Sequence, residues 1–231
     1  MMVAGGVSIQ GTYHDQNQDS FWTYADENVA ILAVSDGLGS CKLSALGSHA
    51  FCDCVREVLC NEDPVPTDFE LICSELHQKW LEHLTGYPIE DCCSTGLFAV
   101  WRDSVLTMGA IGDGFVAAVY NDGDVSVLLD EKNDHYINET DCLQESFDMT
   151  CWRVLQFPCT TLTGIIGSSD GMEIYPGGED QIQRFAKEFF ASYQRMNSEE
   201  IKCNIVEWLS KWPGTDDKTL AFCLEGVNTD E

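Results

Sequence analysis

Positive charge is scarce in this chain of 231 residues: Lys and Arg number 12 against 39 Asp and Glu, a formal net charge of −27 at pH 7. Such a surface repels phosphate backbones and anionic headgroups, which argues against nucleic acid and membrane as partners. It repels a phosphorylated substrate as well, unless cations held at the site reverse the local sign. No long apolar run and no signal-peptide pattern is present, so a cytoplasmic protein is expected. No internal repeat of fixed period occurs, which excludes a solenoid, and no low-complexity tract. The C-x-x-C pair is also missing, although the cysteines number 12: Cys52 and Cys54 are one residue apart and Cys92 and Cys93 adjacent. Most cysteines, among them Cys60, Cys73, Cys203 and Cys223, sit in apolar context and read as reduced thiols packed like small core residues. Cys41, close to Asp36, is singled out for redox sensitivity.

What is present suits one sizeable globular domain over residues 1–231, with 44% apolar and 10% aromatic residues. The apolar run Val29–Val34 reads as a buried strand, and Phe21–Tyr24 before it as its hairpin partner through Asp26-Glu27-Asn28, so the pair is antiparallel. Ser44–Leu59 and Asp68–Leu84 read as two helices; Phe69, Ile72, Leu76, Trp80 and Leu84 share one face of the second. Cys92–Trp101, Val105–Ile111, Phe115–Tyr120 and Val125–Leu129 follow as strands, and the Asp-Gly pairs between them predict an antiparallel meander. Residues 130–148 are acidic and aperiodic, a loop or small subdomain. Val154–Phe157 and Thr161–Ser169 read as strands, and Gln181–Met196 and Ser198–Trp212 as helices, the second capped from Ser198. Lys218–Leu224 is a closing strand. Strand-rich blocks alternating with helix pairs predict an α+β fold: two antiparallel sheets face to face with a helix pair on each outer face.

Five aspartates stand at the borders of strong apolar strands. Asp36, Asp113 and Asp170 each follow a strand and precede glycine, Asp216 precedes the last strand, and Asp19 precedes the Phe21–Tyr24 strand. A carboxylate at the mouth of a buried strand is costly unless a cation or donor meets it. Strand ends of a sandwich can gather on one edge, and an oxygen-only cluster favours hard octahedral cations such as Mg2+ or Mn2+ over Zn2+.

The segments Asn17-Gln18-Asp19-Ser20, Ser35-Asp36-Gly37-Leu38-Gly39-Ser40, Ser94-Thr95-Gly96, Ile111-Gly112-Asp113-Gly114, Ser168-Ser169-Asp170-Gly171-Met172 and Asp216-Asp217-Lys218-Thr219 together resemble the motifs of the metal-dependent protein phosphatases. These are the type 2C serine/threonine phosphatases, and the likeness is to their compact bacterial branch, in motif order and over nearly the whole chain. The resemblance implies a four-layer α-β-β-α sandwich and a pair of Mg2+ or Mn2+ ions bridged by Asp36, with the Gly37 carbonyl, Asp170 and Asp216 as further ligands. It implies that Asp19 holds metal-bound water and that Asp113, with Asp170, binds a third ion. A hydroxide bridging two dications would be the nucleophile, so neither a cysteine nor a serine nucleophile is required.

Three departures from the family pattern stand out. Gln18 replaces a carboxylate that contributes to the second metal, leaving a carbonyl oxygen to bind there. His14 replaces a phosphate-binding arginine and is the candidate to meet a phosphoryl oxygen or carry a proton. Leu38 replaces a general-acid histidine, so leaving-group protonation falls to His14, to a water, or to nothing. Residues 130–148 occupy the place of the family's flap, and their acidity suggests basic surroundings for the phosphoresidue. The expectation is a monomeric phosphoserine/phosphothreonine protein phosphatase with catalytic residues Asp36, Asp19 and His14, acting on a phosphorylated protein that a cognate Ser/Thr kinase supplies. Two alternatives stay open: a catalytically weak phosphoprotein-binding regulatory module, favoured by Gln18 and Leu38, and hydrolysis of a small phosphorylated metabolite.

Overall fold

The computed structural model describes residues 2–61, 67–129, 141–172, 174 and 178–226. Among the described residues, ten strands and four α-helices follow one another. β1 (Met2–Ile9), β2 (Ser20–Ala25) and β3 (Val29–Ser35) come first, then α1 (Ser44–Arg56) and α2 (Phe69–His83). β4 (Gly96–Arg102), β5 (Val105–Ile111), β6 (Phe115–Tyr120), β7 (Val125–Leu129), β8 (Arg153–Pro158) and β9 (Leu162–Ser168) lead to α3 (Glu179–Tyr193), α4 (Ser198–Leu209) and β10 (Lys218–Glu225).

The strands form two five-stranded antiparallel sheets, ordered β1-β10-β9-β6-β7 and β2-β3-β4-β5-β8. β3 shows why its sequence is apolar throughout. Successive side chains of a strand point to opposite faces; Ala30, Leu32 and Val34 pack between the sheets, while Ile31 and Ala33 pack under the helices. The core against α1 and α2 includes Phe51, Val55, Ile72, Leu76, Trp80 and Phe98. On the other sheet, α3 and α4 pack Phe189, Phe190, Ile201 and Ile205 against Phe222 and Ile166. The expected α-β-β-α layering of an α+β fold is therefore what the chain adopts.

Three local readings are corrected. The meander breaks after β5: β4 pairs with β5, but β6 pairs with β7 and β9 in the opposite sheet. Gly112-Asp113-Gly114 is thus a crossover between sheets, not a hairpin turn. Gly112 and Gly114 have φ of 89° and 101°, and a Cβ on Gly114 would lie 2.5 Å from the Ser168 carbonyl oxygen, so both glycines serve the crossing. Secondly, β4 starts at Gly96 rather than Cys92, because Ile89–Asp91 forms a 3-10 turn and Ser94 makes only isolated bridges, to Gly37 and Leu143. Thirdly, Asn197 and not Ser198 caps α4, its side chain accepting from the Glu200 N–H while Glu200 accepts from the Asn197 N–H. α1 runs on from Arg56 into a π-helical turn, Glu57–Asn61.

Of the acidic stretch 130–148, residues 130–140 lie outside the described residues, and residues 141–148 are pinned. Leu143 is buried and its N–H donates to the Ser94 carbonyl at 2.8 Å, while His77 on α2 bonds the Gln144 carbonyl at 2.7 Å. All twelve cysteines are free thiols; Cys73 and Cys223 are buried as expected, whereas Cys203 on α4 is exposed, contrary to expectation. Among the described residues no helix is long and apolar enough to cross a membrane.

Candidate metal centre

One edge of the sandwich collects the borders of eight strands. Ser20 at the start of β2 pairs with Ser35 at the end of β3, and Gly96 at the start of β4 with Ile111 at the end of β5. In the facing sheet, Ile9 pairs with Lys218, and Ser168 at the end of β9 lies opposite Leu220 and Phe115. Residues just outside these strands therefore meet, although the chain places them far apart. A cleft of about 170 Å3 opens there, lined by His14, Asp36, Gly37, Leu38, Gly39, Thr95, Asp113, Asp170 and Asp216.

Asp36 is held by its backbone from both sides: its N–H donates to Thr95 Oγ1 at 2.9 Å and its carbonyl accepts from the Thr95 N–H at 2.8 Å. Its carboxyl is left to the cleft. Burial first, then the charges of Asp19 and Asp170, push its pKa well above the usual carboxylate range. Asp19 lies behind Asp36, buried, with Oδ2 accepting from Ser169 Oγ at 2.7 Å. Burial raises its pKa from 3.8 to about 6, opposed by hydrogen bonds from Ser169 and Thr219. Asp216 accepts its own neighbour's N–H, Asp217 N to Oδ1 at 2.9 Å, and the Lys218 ammonium caps the Asp216 and Gly214 carbonyls at 2.9 and 3.0 Å.

The loop carrying His14 and Gln18 is clamped by a residue that sequence reasoning passed over. Asp217 is buried, and its two carboxylate oxygens accept from the N–H groups of Gly11 and Gln18, both at 2.7 Å. The N–H groups of Thr12 and Tyr13 add bonds to the Thr215 carbonyl at 2.7 and 3.0 Å. His14 is set in this way on the cleft wall beside Gly39, its Nε2 3.0 Å from where a Gly39 Cβ would stand. Gln18 is buried next to the cleft rather than in its lining. Its backbone carbonyl is taken by the Gly37 N–H at 3.1 Å and Ser48 Oγ at 2.6 Å, so only Oε1 remains to bind anything. Thr95, Ser169, Thr219 and Asp217 are the supporting residues the sequence did not single out, though all four sit inside the motif segments.

Divalent cations fit this arrangement. Gln18 Oε1 and Asp19 Oδ1 are buried without a hydrogen-bond donor other than a protonated carboxyl; burial raises the pKa of both Asp19 and Asp36, and the charges of Asp19 and Asp170 add to the rise at Asp36, a cost that a bound cation would relieve. The donors are all oxygens, the choice of Mg2+ and Mn2+. Among the described residues no three His, Cys, Asp or Glu side chains close on one point as a ready cage. That pattern suits a hard cation that keeps several waters and takes one or two carboxylates at a time.

The sequence matches the protein phosphatase 2C family over residues 11–210. No curated protein matches it. Among solved structures, the fold is similar to a bacterial serine phosphatase, with a TM-score of 0.72 at 14% identity over 99% of this chain and 100% of that one. It is similar to the serine/threonine phosphatase Stp1 from Staphylococcus aureus, with a TM-score of 0.70 at 13% identity over 97% and 95%. RsbX in complex with magnesium gives a TM-score of 0.63 at 18% identity over 97% and 99%.

Proposed function

Because the chain belongs to the protein phosphatase 2C family of serine/threonine phosphatases, we propose that its cleft hydrolyses phosphoserine and phosphothreonine on proteins with the help of Mg2+ or Mn2+. The observation that carries this reading is the gathering of Asp36, Asp113, Asp170 and Asp216 in one small cleft on a protein of net charge −27. Asp36, the Gly37 carbonyl, Asp170 and Asp216 would hold two ions, Gln18 Oε1 would complete the second, and Asp113 with Asp170 would hold a third. Bound there, the ions would offset the charge of the phosphoryl oxygens and lower the pKa of nearby water.

The chain's own groups divide the remaining work. Asp19, fixed by Ser169, accepts hydrogen bonds from water at the cleft floor. His14 faces the phosphoryl group from the wall and is the side chain there able to donate a proton to the leaving oxygen. Leu38 offers none, so turnover depends on the leaving group more than in a site with an acid at that position. The substrate is a phosphoprotein with basic surroundings, the counterpart of a Ser/Thr kinase, and the enzyme acts as a cytoplasmic monomer. The reading as a non-catalytic binding module is not favoured, since a protein that only reads phosphate has no use for a full set of costly buried carboxylates.

The test is Mn2+-dependent release of phosphate from a phosphopeptide and from p-nitrophenyl phosphate. Asp36→Ala should lower the rate at least about 100-fold, as loss of a charge-stabilising element does. An unchanged rate would overturn the assignment.

A further inference from the structure

Three half-buried thiols meet directly behind the turn that carries Asp36 and Gly37. Cys93 lies between the Ile89–Asp91 turn and β4; its carbonyl accepts from the Leu38 N–H at 3.0 Å, and the Leu38 carbonyl accepts from the Cys41 N–H at 2.8 Å. Ser94 bridges antiparallel to Leu143. Side chains alternate along extended backbone, so the residues before these two, Cys93 and Cys142, leave their strands on one common face. Cys41 arrives from the other side: its thiol donates to the Glu90 carbonyl at 3.3 Å, and the Cys93 thiol reaches the same oxygen at 3.7 Å. Cys93 interacts with both Cys41 and Cys142 as electrostatic neighbours. Cys54, Cys73 and Cys223 are by contrast buried in the core.

We propose that Cys41, Cys93 and Cys142 form a reversible oxidation site in which Cys93 makes a disulfide with either neighbour. With hydrogen peroxide as oxidant, the sulfur of Cys41 or Cys142 attacks one peroxide oxygen. The O–O bond breaks and a water leaves, giving a sulfenic acid. The Cys93 sulfur then attacks the sulfenic sulfur, the S–O bond breaks, and a second water carries the oxygen away. Two thiols lose two electrons and the peroxide gains them. Burial raises the Cys142 pKa, and burial with the neighbouring thiols pushes that of Cys93 up to about 12, so Cys93 is the poorer first nucleophile of the two. Proximity makes the second step intramolecular, and closing the ~2 Å S–S bond takes a shift of the backbone around Cys93 as well as rotation, since Cys93 and Cys142 are diagonal across the Ser94–Leu143 bridge. The two disulfides brace different segments: Cys41–Cys93 ties down the loop after Gly37, which lines the cleft, and Cys93–Cys142 ties down the segment 141–148. The remaining thiol can move the bond from one to the other by exchange.

This chemistry is independent of the phosphatase reading, since its readout is the state of the thiols. Full-length folded protein would be treated with hydrogen peroxide, then denatured and alkylated with iodoacetamide, and its peptides mapped by mass spectrometry. The expected result is loss of Cys93 alkylation, with Cys93 joined to Cys41 or Cys142 in the same chain, while Cys54 and Cys223 stay alkylated; dithiothreitol restores Cys93. Cys41→Ser should move the disulfide wholly to Cys93–Cys142, and Cys93→Ser should leave none. Full alkylation of Cys93 after peroxide, sulfinic acid at Cys41 without a disulfide, or bonds only between molecules would each overturn the proposal. Should Cys93→Ser fail to fold by circular dichroism, the wild-type map alone decides.

Discussion

Neutralising Asp19 should stabilise the protein in the absence of metal, even though it removes a residue the site retains. Well below pH 3.8 this carboxyl is protonated in both folded and unfolded chains and costs nothing. As pH rises, the unfolded chain releases its proton near 3.8 and the folded chain only near 6. Between those values the unfolded state binds fewer protons, so stability falls with pH, and above pH 6 the loss is complete at about 3 kcal/mol. Asp19→Asn removes that loss without breaking the local bonding: the amide oxygen still accepts from Ser169 Oγ, and the amide N–H gives Asp36 a donor. In a chelator at pH 7.5 the variant should melt roughly 6–12 °C above wild type, the shift about 3 kcal/mol produces in a domain of this size. At pH 3 the two should melt nearly together. Adding Mn2+ at about 100 times its Kd should stabilise wild type by about 2.7 kcal/mol and the variant by much less. Thermal unfolding followed by circular dichroism reads all four conditions. A variant less stable than wild type at pH 7.5 in chelator would refute the reasoning, because it would mean the buried carboxylate is satisfied by the protein alone.

Asp217→Ala should strand the buried N–H groups of Gly11 and Gln18 and cost about 3 kcal/mol in urea unfolding, with Asp217→Asn milder because one oxygen remains. Gly47→Ala would bring a Cβ within 1.8 Å of the Cys92 carbonyl oxygen and push α1 off the turn below it; a loss of about 3 kcal/mol by the same assay is expected. Leu38→His should restore a proton donor to the cleft wall, raising the rate on phenyl phosphate about tenfold or more relative to that on p-nitrophenyl phosphate. An unaltered ratio would show that no acid can act from that position.

Legibility in the sequence followed the range of the forces involved. The strands from β2 to β10 and the four helices were readable because apolar periodicity is local: each run of alternate or 3.6-spaced residues buries its own face. The candidate ligands were readable because a carboxylate beside glycine at a strand end is chemically conspicuous wherever it folds. The crossover at Gly112–Gly114 was not, since an Asp-Gly turn has the same composition whether the next strand pairs back or crosses to the other sheet. Asp217 was passed over for a related reason. Its partners are 199 and 206 residues away, so nothing near it in the chain reports that it clamps the His14 loop. Cys203 sits among apolar neighbours in sequence yet faces solvent on α4, because helical spacing puts it on the outer face away from Ile201 and Ile205.

By itself, then, the sequence determined the layers and singled out the aspartates Asp36, Asp113, Asp170 and Asp216 that the fold gathers in one cleft. Tertiary structure alone decided that the borders of eight strands share one edge, that Asp19 stands buried behind Asp36, and that Cys41, Cys93 and Cys142 become neighbours. Burial and mutual charge belong to the assembled site: a carboxyl that titrates near 3.8 in the open chain and near 6 in the fold carries no mark of that difference in its own residue or its neighbours.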